Sequence, residues 1–289
     1  MDYQIYFPHA GIFLPHVGKN IQIGNFTIAY YGIAIAIGML LGITAICKRA
    51  EETGQKADDY IDISIWTMIF GIIGARIYYV VFAWDSYKDR PLSVFNIREG
   101  GLAIYGGIIA GTLTMYVLSK IKKITFPKIL ETVAIGVPIG QILGRWGNFF
   151  NREAFGAYTD SFFAMQLPVS AVRQNEITKE MWDHLVNLNG VDFIQVHPTF
   201  LYESLWNCGV VLMLFLMRKK TKFDGELFAL YIAGYGLGRF FIESLRTDQL
   251  LVPGTTIPVS MVVSAVSFIA CVLIIVTGRK RATERAAVS

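Results

Sequence analysis

Seven apolar stretches, each close to the length that crosses a bilayer, set the strongest limit on how this chain can fold. They run over 26–46, 60–84, 102–118, 129–150, 200–217, 225–244 and 258–277. A helical crossing needs about 20 apolar residues. Helix is the form required there, because hydrocarbon offers no partner to an unpaired backbone N–H or C=O. The pattern predicts an all-α integral membrane protein of about seven helices, with a small extracytoplasmic insertion between spans 4 and 5. Composition agrees: of 289 residues 54% are hydrophobic and 17% charged, with mean hydropathy +0.47, where soluble domains are about a quarter charged.

The basic residues are distributed unevenly. Fifteen of the 26 Lys and Arg cluster in four places: after span 1 (Lys48, Arg49, Lys56), between spans 3 and 4 (Lys120, Lys122, Lys123, Lys128), between spans 5 and 6 (Arg218, Lys219, Lys220, Lys222), and after span 7 (Arg279, Lys280, Arg281, Arg285). Positive loops stay in the cytoplasm. The alternation places the N-terminus outside and the C-terminus in the cytoplasm. Orientation alone accounts for these clusters, so no nucleic-acid partner is expected. Cys47, Cys208 and Cys271 fall in or beside spans, where a thiol is an apolar filler. Neither they nor the four histidines show the spacing of a metal site or a disulfide.

One membrane domain, 1–289, is expected. Residues 1–25 read as irregular chain at the outer interface, and 85–99 as a short outer loop. Residues 151–198 are too polar to span and too short for a sizeable core of their own, and read as an outward-facing cap.

Three arginines lie within apolar stretches: Arg76, Arg145 and Arg239. A cation at the centre of a membrane helix costs roughly 2.5–3.5 kcal/mol on insertion scales, so each needs a polar cavity, a partner or a ligand. In Gly144-Arg145-Trp146-Gly147-Asn148, Arg145 and Asn148 share one helix side and offer a guanidinium fork and an amide to a phosphate diester. A pair between Arg145 and Glu203 or Glu243 is the alternative reading, compatible with the first. In Gly234-Tyr235-Gly236-Leu237-Gly238-Arg239-Phe240-Phe241-Ile242-Glu243, the residues Tyr235, Arg239 and Glu243 form one stripe. The stripe suits a cavity wall, a structural Arg239–Glu243 pair, or both. Glu203 follows His197-Pro198 at the start of span 5, where His197 reads as a structural hydrogen-bonder. Gly100-Gly101-Leu102-Ala103-Ile104-Tyr105-Gly106-Gly107 opens span 3, its glycines serving either close helix packing or approach of a ligand.

These blocks, with Tyr30-Tyr31-Gly32 and Gly74-Ala75-Arg76, closely resemble the bacterial prolipoprotein diacylglyceryl transferases. The resemblance covers nearly the whole chain, and the block from Gly144 to Gly156 is similar to the family signature. It implies a transferase of the bacterial cytoplasmic membrane. The diacylglyceryl group of phosphatidylglycerol moves to the lipobox cysteine of a preprolipoprotein, a thioether forms and glycerol phosphate leaves. By position, Arg145 and Arg239 match the arginines that hold the lipid phosphate. Asn148, Glu153 and Gly156 match signature residues, and Tyr31, Glu203, Tyr235 and Glu243 match further cavity residues. No cofactor is implied. One position departs: where many members carry a histidine proposed as base for the thiol, this chain has Tyr105. A free tyrosine has a pKa near ~10 and is a poor base at neutral pH. The histidine-base mechanism therefore does not transfer. An anionic-lipid transporter also fits buried arginines and glycine-broken helices, but the chain shows no related halves.

Overall fold

The computed structural model describes residues 4–97 and 100–288. Residues 98–99 of the expected 85–99 loop and residues 1–3 of the N-terminal segment lie outside them. The chain is mostly helical. Its long helices are α1 (Tyr30–Glu52), α2 (Ala57–Phe82), α3 (Ile104–Lys122), α4 (Phe126–Val133), α5 (Gly136–Asn151), α7 (Thr199–Met217), α8 (Glu226–Glu243) and α9 (Val259–Val288); a short α6 (Lys179–Asp183) precedes α7. Of these, α1, α2, α3, α7 and α9 are long and apolar enough to cross a membrane, and α4 with α5 together form one further candidate broken at 134–135. Ile65, Ile69, Ile73 and Ile77 of α2, and Val266, Ile269, Leu273 and Val276 of α9, point outward. Water does not sustain apolar patches of that extent; lipid does. The chain is a multi-pass membrane protein.

Helix ends follow local chemistry. Asp58 and Asp59 open α2, where the helix dipole favours acids, and Lys122 closes α3 by pairing with Asp59 at 2.9 Å and Asp62 at 2.5 Å. The described chain divides into two compact units, Met1–Gly42 with Ala134–Ser289, and Ile43–Val133. In the first, α5 packs on α7, α7 on α8, and α8 on α9; in the second, α2 packs on α3.

The first unit is not purely helical. Strands β1 (Ile5–Phe7), β2 (Ile12–Leu14), β5 (Met165–Pro168), β6 (Val186–Leu188) and β7 (Val191–Val196) form one antiparallel sheet in the order β2-β1-β5-β7-β6, and β3 (Asn20–Ile23) pairs with β4 (Phe26–Ala29) in a hairpin. The expectation of irregular chain over 1–25 therefore fails, as does a wholly α fold. Residues 151–198 also have a core. Ile5, Leu167, Met181, Ile194 and Val196 are fully buried and reach Phe149 of α5 and Phe200 of α7. The missing apolar side chains come from the N-terminal strands, about 160 residues away in sequence, so local counting could not find them.

Candidate functional site

Six charged side chains of the first unit converge where α5 ends, α7 begins and α8 ends. Glu203, on the first turn of α7, is 4% exposed. It lies 2.8 Å from Arg145 of α5, 2.9 Å from Arg239 of α8 and 3.8 Å from Arg246. Glu243, 3% exposed, lies 2.5 Å from Arg239 and 4.0 Å from Arg246. Arg246 is held from its other side by Asp248, through Nε at 2.8 Å and Nη2 at 2.7 Å. Three guanidinium groups thus share three carboxylates. Burial works against the Asp248 charge, but the hydrogen bonds and the positive charge of Arg246 together outweigh it and hold the carboxyl below its usual range. Its stabilising contribution is present above the ordinary carboxylate range and lost as pH falls through the depressed value.

Burial is graded across the network. Glu203 and Glu243 are sealed, whereas the Arg145 and Arg239 side chains keep 21% and 16% of their surface open. Arg239 donates to Glu203 at 2.9 Å, while the Arg145–Glu203 and Arg239–Glu243 contacts are ion pairs, and each guanidinium carries five N–H donors. A guanidinium fork that is held by acids and still partly exposed is suited to a phosphate.

Local packing places these side chains. Trp206 donates to the Gly234 carbonyl at 2.8 Å and lies flat on Gly238, where a Cβ would meet its ring at 2.2 Å. That contact locks α7 against α8 one residue before Arg239. Ser204 donates to Ile142 O at 2.9 Å and ties α7 to α5. Tyr31 of α1 lies against Gly147, so close that a Cβ there would sit 2.4 Å from its ring. Tyr235 stands one turn before Arg239 and half-buried, its ring 6.0 Å from that of Tyr231.

The signature block sits beside the network. Asn148 donates to Glu153 at 3.0 Å, and Arg173 reaches the other Glu153 oxygen at 3.4 Å. The amide of Gly156 donates to His197 O, and a Cβ at Gly156 would meet Leu245 O at 2.7 Å. Gly156 thus joins the segment after α5 to the one entering α7 and to the residue before Arg246. His197 contacts the Tyr202 hydroxyl at 3.2 Å, and burial lowers its pKa, in keeping with the structural reading of this residue.

Of the readings open for the two arginines, the ion pairs are present: Arg145 with Glu203 and Arg239 with Glu243. Tyr105 belongs to the second unit, at the start of α3, and is half-buried. Sequence reasoning passed over two residues. Arg246, placed in an outer loop, has a signal in its spacing, three residues after Glu243 and seven after Arg239. Asn207, one turn after Glu203, is 1% exposed with both amide atoms unpaired; its signal is an amide inside an apolar run.

The third intramembrane arginine is not an anion site. Arg76 of α2 donates to Val94 O at 2.7 Å, Gly100 O at 2.8 Å, Gly101 O at 2.9 Å, Ser93 O at 2.9 Å and Asn96 O at 3.1 Å, with the Tyr87 ring 5.1 Å away. Its partners are backbone carbonyls, which resolves the cost of burying it. Gly100 and Gly101 adopt φ of 86° and 78° to present them, and a Cβ on Gly101 would lie 2.4 Å from the guanidinium. The second glycine pair is for packing: a Cβ on Gly106 would meet Gly74 O at 2.4 Å. Arg76→Ala is expected to cost about 3 kcal/mol, since several buried carbonyls lose a charged donor. Arg76→Lys, with three donors for five acceptors, is expected to recover less than half. Thermal unfolding, with hydrogen exchange over 93–101, checks both.

The fold and site define a polytopic membrane protein with an arginine–carboxylate network buried among its helices. The prolipoprotein diacylglyceryl transferase family model matches residues 19–277, and the chain belongs to that family. Similar proteins include the phosphatidylglycerol–prolipoprotein diacylglyceryl transferase of Clostridioides difficile, 45% identical over 224 residues, which are 78% of this chain and 81% of that one. Those of Bacillus cytotoxicus and Halalkalibacterium halodurans are each 37% identical, over 90% and 88% of this chain and 91% and 83% of theirs.

Proposed function

We infer that this chain is a phosphatidylglycerol–prolipoprotein diacylglyceryl transferase, carrying out the first step of lipoprotein maturation. The observation that supports this reading best is the Glu203-centred network, in which two arginines are anchored by buried acids and stay partly exposed. The lipid phosphate lies on the open N–H groups of Arg145 and Arg239. The nucleophile is the lipobox cysteine of the substrate. Its sulfur attacks the glyceryl carbon, the S–C bond forms, the C–O bond to phosphate breaks, and the electron pair leaves on glycerol phosphate. A free thiol with a pKa near ~8.5 is already a few per cent ionised at neutrality, and nearby cations raise that fraction. The arginines stabilise the charge that grows on the departing phosphate. Tyr31, Tyr235, Asn148, Glu153 and Gly156 shape the lipid site.

Seven crossings follow if the α4–α5 pair and α8 each cross once. The α8 helix holds Glu226, Arg239 and Glu243, each paired with a neighbour, which lowers the cost of their depth. The N-terminus and the 151–198 cap face outward from the bacterial cytoplasmic membrane. Cysteines introduced near Lys88 and Lys179 are expected to label from outside, and those near Lys122 and Lys219 only after permeabilisation. Outside labelling at Lys122 would overturn this topology.

Tyr105 acts as a hydrogen-bonding group toward the lipid headgroup or the thiol, and the proton leaves to water or to a carboxylate such as Glu243 or Glu203. Tyr105→Phe is expected to lower transfer about 10–100-fold, the scale of one positioning hydrogen bond, and Tyr105→His to remain active. A basic limb in the pH–rate profile that vanishes only in Tyr105→Phe would make the tyrosine the base instead. The reading as a whole is tested by incubating the purified chain with phosphatidylglycerol and a lipobox peptide. A peptide carrying a diacylglyceryl mass supports it, and an unmodified peptide rejects it.

A further inference from the structure

The end of α8 opposite the arginine network carries charges that the transfer reaction does not use. Glu226 opens α8 fully buried. Arg279 of α9 closes on it at 2.5 Å, and the backbone N–H of Lys222 donates to its other oxygen at 2.6 Å. The Phe223 ring presses on Gly278, where a Cβ would lie 2.4 Å from a ring carbon. These contacts clamp the turn before α8 onto the last third of α9.

Beside the clamp is a cleft of about 630 Å³. Ile274, Gly278, Arg281 and Arg285 line it from one stripe of α9, and Lys222 and Asp224 from the turn. Three cations therefore face one carboxylate. The nearest buried acid, Glu226, is already taken by Arg279. Among the described residues, Lys222, Arg281 and Arg285 have no ion-pair partner of their own.

Depth says what such a cleft can hold. The apolar run of α9 ends at Val276, and Arg281 and Arg285 follow five and nine residues later. At 1.5 Å per residue they stand about 7–14 Å beyond it, in the headgroup layer that flanks the hydrocarbon core. Ile274 lies on the hydrocarbon side of that boundary. The cleft runs from an apolar floor to a cationic rim, the polarity of a phospholipid from acyl chain to phosphate. Orientation in the bilayer explains why cations lie at this end of the chain. It does not explain a clamp that neutralises one of them and leaves three around a cavity.

We propose that this cleft is a headgroup site for an anionic phospholipid of the leaflet at the C-terminal end of α9, its phosphate held by Lys222, Arg281 and Arg285. The lipid is not the one consumed in transfer. Glu226 and Arg239 are thirteen residues apart on α8, about 20 Å along the axis, so the two phosphate sites lie at opposite ends of the helix. The site holds a resident lipid that fastens α9 to the α8 turn.

The test uses the full chain in phosphatidylcholine nanodiscs with a photoactivatable dioleoyl phosphatidic acid, which lacks the glycerol headgroup released by transfer. In the wild type, crosslinks are expected in the segment 271–285. The triple variant K222Q/R281Q/R285Q, checked for helix content by circular dichroism, is expected to lose at least tenfold of that labelling. The R281K/R285K variant, which keeps both charges, is expected to retain it. Transfer of a lipobox peptide by the triple variant is expected to stay within about twofold, since none of the three touches the arginine network. Four results would overturn the proposal: no wild-type label in 271–285, equal label in the triple variant, displacement by millimolar inorganic phosphate, or an equal loss in a K120Q/K123Q control. Displacement would mean a soluble-anion site, and loss in the control would mean general surface charge.

Discussion

Arg239→Ala and Arg145→Ala are each expected to lower transfer by at least about 10²–10³-fold, the cost of removing one donor from a developing oxyanion, in a protein that still inserts. The expectation rests on the partial exposure of both side chains, each anchored on the buried Glu203 and Arg239 also on Glu243. Lysine is expected to rescue poorly at either position. It supplies a point charge where two tasks, holding the acid and holding the phosphate, need a planar fork. Arg239→Ala also leaves the buried Glu243 with only Arg246, at 4.0 Å, and breaking a buried pair costs about 3–5 kcal/mol. A second change, Glu243→Gln, is expected to restore part of that stability and none of the transfer, which separates the two effects. Wild-type turnover in Arg145→Lys would exclude a bidentate phosphate contact there.

Glu203→Ala is expected to be the most destabilising single change in the network, by about 3–5 kcal/mol. It leaves Arg145, Arg239 and Arg246 facing one another around a site that is 4% exposed. Glu203→Gln keeps the shape and removes only the charge. The network then carries one more net positive charge, so phosphatidylglycerol is expected to bind no more weakly. Turnover is expected to fall about tenfold or more, because the two forks lose the anchor that aims them. Thermal unfolding in micelles and a split of KM against kcat read out the two parts. An unchanged unfolding temperature in Glu203→Ala would mean that the acid does not bind the network together.

The helices and the network were legible in the sequence because both depend on local patterns. A run of about 20 apolar residues announces a crossing wherever it lies in the chain. An arginine inside such a run announces an unmet electrostatic requirement, and Glu203 and Glu243 are the acids near enough in kind and depth to answer it. Arg76 shows the limit of that argument. Its requirement is met by five backbone carbonyls of a loop, and carbonyls are in every residue, so no side-chain pattern marks them. The sheet was hidden for a related reason. Ile5, Tyr6 and Phe7 are too few to read as a strand, and their partner Gln166 lies far along the chain. The core of 151–198 depends on that pairing and was missed with it. Arg246 was overlooked because it lies past the apolar run and counts as a loop cation, while the chain continues for one more turn and brings it back to Glu203.

The most direct test of the account is a single-turnover reaction with phosphatidylglycerol labelled in its terminal glycerol and a lipobox peptide. Wild-type protein is predicted to release one labelled glycerol phosphate for each peptide that gains a thioether-linked diacylglyceryl group, and the Arg145→Ala/Arg239→Ala double variant to produce neither above background. Thioether formation at the wild-type rate in the double variant would contradict the account, because the phosphate would then be leaving without the two arginines.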